Sequence, residues 1–334
     1  MNFREDRSIS HARKKEYIDG VERLIIRRQQ EAQSHRAAYA RRIFDDPERY
    51  RVEFRAMLGW PLTDCEPSAP PEATMELLSQ EAEYSIWRMT FEVIEGLKMS
   101  GLLFRMNGDA PRPMVIVQHG GGGTPEFMSG LYGDTVNYNH MLDHVICHGV
   151  HAFAPQLLLW SADYDVPYDR RAIDARLKRL GSSITALEVY GITRIIDYFE
   201  AQDFVTTFGM VGLSYGGFYT LYTAAADTRI RSAISCSFFS QRDAYPWSDW
   251  TWQRSAEMFD DAEIACLVHP RRLCLEMGDH DELFEIGHTE ASFTRVKEMC
   301  RDVGTDWVEL IVFDGVHEFL TDPTPIKRLI RDLQ

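Results

Sequence analysis

The chain has 334 residues, 45% hydrophobic and 26% charged, with a net charge of -15. That length holds one large α/β domain with an appendage, or two small domains. The acidity argues against nucleic acid and against an anionic membrane surface, both of which call for a basic face, and no stretch approaches the roughly 18 apolar residues of a membrane span. The opening run Met1-Asn2-Phe3-Arg4-Glu5 lacks the apolar core of a secretory leader. Six cysteines (Cys65, Cys147, Cys236, Cys266, Cys274 and Cys300) show neither metal-ligand spacing nor a disulfide framework. The expected location is the cytoplasm.

Residues 1–75 read as a helical N-terminal extension with a linker. Residues 11–57 are helix-compatible, with an apolar stripe at Tyr17, Val21, Leu24 and Ile25, and Asp46-Pro47 breaks the run before a shorter helix from Glu48 to Leu58. Residues 1–60 carry 14 Lys and Arg against 10 Asp and Glu, a balance of +4, which leaves -19 for the rest. A basic arm beside an acidic body points to docking on that body or on another subunit, so a homo-oligomer through the N-terminal helices is expected. Pro61, Pro67, Pro70 and Pro71 mark residues 61–75 as a linker.

From about residue 82 strands and helices alternate. Tyr84–Ile94 and Leu97–Met106 form a predicted hairpin turned at Glu95-Gly96. Strands are expected at Met114–Gln118, Ala152–Pro155, Phe208–Leu213, Ile230–Phe239, Arg272–Met277 and Val308–Phe313. Helices are expected at Val136–Cys147, Ser182–Phe199, Phe218–Ala226 and Thr289–Val303, with a last one ending at Leu329. Short apolar strands between helices predict a doubly wound, mostly parallel sheet covered on both faces, over residues 76–334. Segments 156–181 and 241–262 fall outside this alternation, each after a strand, where the rim of an active site forms. The second carries Tyr245, Trp247, Trp250 and Trp252. It reads equally as a cap that walls a substrate and as a small core of its own.

The chemistry concentrates at Gly212-Leu213-Ser214-Tyr215-Gly216, a G-x-S-x-G run between an apolar strand and a small-residue helix. A serine placed on so sharp a turn needs flanking residues without bulk, which Gly212 and Gly216 supply. Its base and orienting acid should follow in the order acid, then histidine. Asp281 lies in the loop after the strand ending at Met277, with Asp279 as the rival in Gly278-Asp279-His280-Asp281. His317 lies in Gly315-Val316-His317 after the last strand, whereas His269, His280 and His288 do not. The oxyanion donors expected are the N–H groups of Tyr215 and Gly121, with Gly122 second, from His119-Gly120-Gly121-Gly122-Gly123. A glycine run after a strand also suits phosphate, but no P-loop or dinucleotide fingerprint accompanies it. His140, His144 and His148 at i, i+4 and i+8 suggest a metal face; the glutamate of H-E-x-x-H is absent and no fourth ligand is evident. No metal and no cofactor is expected.

Together these residues resemble the α/β-hydrolase superfamily, with Ser214, Asp281 and His317 on its triad positions. Within it, Asp260–Leu273 is similar to the segment before the acid in dienelactone-hydrolase and acetyl-xylan-esterase-like serine esterases, with Arg272 where a second proline is common. The N-terminal helices and Phe54-Arg55-Ala56-Met57-Leu58-Gly59-Trp60-Pro61 also resemble bacterial relatives of that group. The resemblance implies hydrolysis of a small-molecule carboxylic ester through an acyl-enzyme, the substrate lying against Gly122, Tyr245, Trp247 and Trp250. Acetyl or methyl esters of sugar-like compounds come first. Carbon–carbon bond hydrolysis of ketones or diketones on the same fold, or a non-catalytic member of it, are the alternatives.

Overall fold

The computed structural model of the chain describes residues 3–64, 69–159 and 168–334. One nine-stranded sheet runs through it: β1 (Ala73–Gln80), β2 (Tyr84–Ile94), β3 (Leu97–Met106), β4 (Arg112–Gln118), β5 (His151–Pro155), β6 (Val205–Leu213), β7 (Ile230–Cys236), β8 (Arg272–Gly278) and β9 (Val308–Phe313). Their spatial order is β1-β2-β3-β5-β4-β6-β7-β8-β9. The first three strands are antiparallel meanders, β3 pairs antiparallel with β5, and every pair from β5 to β9 is parallel.

The parallel centre follows from composition. Met114–Gln118 in β4 and Phe208–Leu213 in β6 are buried without a break, the signature of strands covered on both faces. One face packs under the helices Ile184–Glu200 and Tyr215–Ala226 through Ile192, Ile195, Phe199, Phe218 and Tyr222. The other packs under Met141–Ile146 and Thr324–Leu333 through Leu142, Val145, Leu329 and Ile330. The edge strand β1 starts at Ala73, inside the linker expected up to residue 75. Six of its eight residues are exposed, so no alternation of buried and open positions marks it in the sequence.

At the N-terminus, Arg7–Tyr39 is one 33-residue helix in which only Ala32 is buried. A 3-10 turn and the break at Pro47 lead into a helix over Pro47–Leu58. This shorter helix braces the one that follows Ser214. Arg51 donates from Nε to the Ala225 carbonyl at 3.1 Å and from Nη2 to the Leu267 carbonyl at 3.1 Å, and Arg55 donates to the Ala226 carbonyl at 3.3 Å. The last carbonyls of Tyr215–Ala226, which have no partner within the helix, are satisfied in this way.

Several expected elements are corrected. The strand read as Ile230–Phe239 ends at Cys236, and the helix read as Thr289–Val303 runs over Ile286–Met299. Val136–Cys147 is not one helix: Val136–Tyr138 is a 3-10 turn, Asn139 and His140 are left-handed, and only Met141–Ile146 is α-helical. The His140, His144, His148 stripe therefore has no continuous helix to carry it. The last helix runs on to Leu333 rather than ending at Leu329. Within the insertion 156–181 the structure places a helix over Arg170–Lys178; its residues 160–167, and Cys65 and Pro67 of the linker, lie outside the described residues.

Candidate active site

Ser214 sits between β6 and the helix Tyr215–Ala226 with φ 60° and ψ -121°. That conformation is costly for a side-chain-bearing residue and is a mark of functional turns. Its neighbours must be glycine. A Cβ on Gly212 would lie 2.4 Å from the Gly216 backbone, and one on Gly216 would lie 2.1 Å from the Gln118 carbonyl oxygen. The turn is pinned by Ser214 N–H donating to the Cys236 carbonyl at 2.9 Å, while the Ser214 carbonyl accepts from Phe218 N–H at 2.9 Å.

Asp281 and His317 meet: His317 Nδ1 lies 2.8 Å from Asp281 Oδ2. The Asp281 side chain is wholly buried and that of His317 is 16% exposed. Asp281 Oδ1 accepts from the N–H groups of Leu283 at 2.8 Å and Phe284 at 3.0 Å, which fixes the carboxylate plane. This arrangement assigns Nδ1 as the protonated ring nitrogen and leaves the Nε2 lone pair available to accept a proton. Asp279 is placed differently. Its side chain is 41% exposed, and Oδ1 accepts from Gly315 N–H at 3.2 Å, joining the two loops. Between Ser214 Oγ and His317 no hydrogen bond is present among the described residues, and such contacts commonly tighten only when substrate binds. The two loops nevertheless converge on Cys236, whose carbonyl holds Ser214 and whose Sγ donates to the Glu318 carbonyl at 3.3 Å.

The glycine run after β4 lies against the serine. A Cβ on Gly120 would sit 3.2 Å from Ser214 Cβ, and one on Gly121 3.3 Å from the Tyr215 ring. Gly120 N–H donates to Tyr138 Oη at 2.8 Å, so it is already engaged. Among the described residues no group accepts from Gly121 N–H, and Tyr215 is the first residue of the helix that follows Ser214. Gly122 has φ 70°, which a glycine adopts without strain. His119 holds this loop from below. Its Nδ1 lies 2.9 Å from the Gly120 carbonyl and its Nε2 accepts from Leu157 N–H at 3.1 Å. Burial pushes its pKa down to about 4, so the ring is neutral with the proton on Nδ1.

A row of aromatic rings runs from the serine to the histidine. Tyr215 and Trp250 are 4.9 Å apart, Trp250 and Phe284 6.0 Å, and Phe284 and His317 5.8 Å between ring centres. Trp247 stacks on Trp250 at 4.4 Å. Trp250 and Trp252 are buried within the main core beside Phe218 and Phe238. Trp247 is half-buried, and Tyr245 Oη accepts from Glu285 N–H at 2.8 Å beside the acid loop.

The charges beneath this row leave no mark in the sequence. Arg170, almost wholly buried, donates from Nε to Asp249 Oδ2 at 2.8 Å and from Nη2 to Glu188 Oε2 at 3.0 Å and Tyr219 Oη at 2.7 Å. Tyr215 Oη donates to the same Asp249 oxygen at 2.8 Å. Burial, reinforced by the Asp249 charge, pushes the Tyr215 phenol well above its ordinary range, so it remains a donor. The two insertions are thereby tied to the residue after Ser214. Charged residues scattered over a sequence carry no signal of such a meeting.

No family model matches the chain, and no curated protein sequence matches it either. Solved structures do. A putative acetyl xylan esterase from Bacteroides fragilis superposes with a TM-score of 0.65 at 16% identity, over 86% of this chain and 81% of that one. A glucuronoyl esterase from Solibacter usitatus gives 0.59 at 14%, over 85% and 90%. Acetyl xylan esterase 1 from Thermoanaerobacterium sp. JW/SL YS485 gives 0.57 at 14%, over 86% and 93%. At these identities the likeness is one of architecture, and with the sheet order and the strained Ser214 turn it establishes that this chain has the α/β-hydrolase fold.

Proposed function

We propose that the protein is a serine hydrolase of small carboxylic esters, with Ser214 as nucleophile, His317 as general base and Asp281 as the orienting acid. The observation that carries this reading is the strained, glycine-flanked Ser214 sharing the Cys236 support with the loop that holds the Asp281–His317 hydrogen bond. In the reaction His317 Nε2 takes the Ser214 proton as Oγ attacks the ester carbonyl. Asp281 stabilises the imidazolium, and the N–H groups of Gly121 and Tyr215 hold the oxyanion. The imidazolium then protonates the leaving alcohol, and water, activated by the same base, releases the acid from the acyl-enzyme.

Acetyl and methyl esters of sugar-like compounds are the substrate class to test first. Acetyl xylan, glucuronoyl and methyl esterases occur among the proteins of similar architecture, and flat rings such as Trp247 suit the apolar faces of sugars. No helix among the described residues is long and apolar enough to cross a membrane. The five described cysteines are all unpaired thiols, which fits a cytoplasmic setting. The helix Arg7–Tyr39 leaves Tyr17, Ile18, Val21, Leu24 and Ile25 exposed. Its basic balance against the acidic body supports pairing with a second copy, to be read as twice the monomer mass by light scattering.

The test of the activity is p-nitrophenyl acetate turnover. A burst of p-nitrophenol equal to the enzyme concentration is expected and should vanish in Ser214→Ala. Undiminished turnover in that variant would sink the reading.

A further inference from the structure

The turn Thr135–His140 concentrates backbone strain outside the sites already named. Val136 has φ 44°, Asn139 φ 47° and His140 φ 57°. Asparagine tolerates this region, but a β-branched valine there is a genuine outlier. Such strain persists only where surrounding bonds over-determine it. Here they do. Val136 N–H donates to Asp134 Oδ1 at 2.9 Å, His140 N–H to Thr135 Oγ1 at 3.0 Å, and Tyr138 N–H to the Thr135 carbonyl at 2.9 Å.

The strained turn touches both halves of the proposed machinery. On one side Tyr138 Oη accepts the Gly120 N–H at 2.8 Å, and its ring lies edge-on to Phe127. A Cβ on Gly123 would fall 2.0 Å from that same oxygen, so the glycine run is wrapped closely round the phenol. On the other side Asn137 Nδ2 donates to the carbonyl of His317 itself at 3.1 Å. The Asn137 carbonyl accepts from Phe319 N–H at 2.8 Å, and Asn139 Nδ2 donates to the Phe319 carbonyl at 2.7 Å and to Glu318 Oε2 at 2.9 Å. Three consecutive residues of the histidine loop, 317 to 319, are thus held by two asparagines one residue either side of the tyrosine that holds the oxyanion loop.

We infer that this turn sets the distance between the general base and the oxyanion hole, with Asn137 and Asn139 as positioning residues for His317 and Tyr138 as the positioning residue for Gly121. The inference rests on the hydrolase reading. Other restraints on the histidine loop come from the acid loop and from Cys236: Asp281 at His317 Nδ1, Asp279 at Gly315 N–H and Cys236 Sγ at the Glu318 carbonyl. None of them links His317 to the oxyanion side, which the turn does. An error of about 1 Å in the place of the base costs on the order of a hundredfold in rate. Substrate binding, which does not depend on the placement of Nε2, should hardly change.

The experiment uses the full chain with p-nitrophenyl acetate as probe. Asn137→Ala removes the donor to His317, and Asn139→Gly removes the donor to Phe319 while suiting the left-handed backbone, so folding is not at stake in the second variant. Both should lower kcat by about tenfold or more with KM within about twofold. The thermal midpoint should stay near the wild-type value. The low-field proton resonance of the His317–Asp281 hydrogen bond should broaden or disappear in both. Wild-type kcat in both variants would overturn the inference, as would a fall in kcat matched by a fall in the thermal midpoint, which is what a merely structural turn produces. Neither result touches the hydrolase reading, which fails separately if Ser214→Ala keeps its activity.

Discussion

Glu276 offers a test in which the sign of a pH effect is fixed by the structure. It lies in the middle of the sheet on β8, opposite Cys236 on β7, with both carboxyl oxygens buried and without a hydrogen-bond partner. The Cys236 thiol gives its hydrogen to the Glu318 carbonyl instead. Burial, with a further push from Glu309, raises the Glu276 pKa from 4.5 to about 8. The folded protein therefore binds one more proton than the unfolded chain between those two values. The contribution of this one group to stability is fully present below pH 4.5, falls by about 1.4 kcal/mol per pH unit through the window, and is lost by pH 8. At pH 7 the cost comes to about 3 kcal/mol, an upper figure because the structure can relax. Glu276→Gln keeps the shape and removes the titration. Urea unfolding of both proteins from pH 4 to 8 should give nearly equal stabilities at pH 4 and a growing advantage for the variant above pH 5. A difference that stays flat across this range would refute the reasoning. Other titrating groups, such as Asp261 with its pKa near 7, are common to both proteins and cancel.

Asp281→Asn should lower kcat by about a thousandfold or more, whereas Asp279→Asn, which changes only a bond between loops, should stay within a few-fold; steady-state kinetics on one ester compares them. Arg170→Met leaves Glu188 and Asp249 buried without their counter-charge and should cost about 3–5 kcal/mol in urea unfolding. Arg49→Ala, which breaks an exposed pair with Glu53, should cost under about 1 kcal/mol in the same assay.

The features legible in the sequence are those whose cause is local. The Ser214 turn announces itself because Gly212 and Gly216 meet a steric demand within four residues. The central strands are visible because burial on both faces leaves unbroken apolar runs such as Met210-Val211-Gly212-Leu213. Asp281 and His317 are found by their place after β8 and β9, and the structure does bring them within hydrogen-bond reach. What could not be read has its cause far away in the chain. Val136–His140 looks helical in isolation but is a 3-10 turn with positive φ at Val136, Asn139 and His140, held by bonds to Phe319, about 180 residues on. Arg170, Asp249 and Tyr215 meet only in the folded state, and a lone arginine in a sequence is normally a surface residue. The edge strand β1 hides for the opposite reason, since neither of its faces is systematically buried.

Covalent labelling tests the central claim most directly. A fluorophosphonate, which phosphonylates an activated serine and loses fluoride, should add one probe mass per chain, mapped by peptide sequencing to Ser214. The adduct should be absent in Ser214→Ala and much slower to form in His317→Ala. A chain that stays unlabelled under conditions that label a known serine esterase, or a label that maps to another serine, would contradict the account.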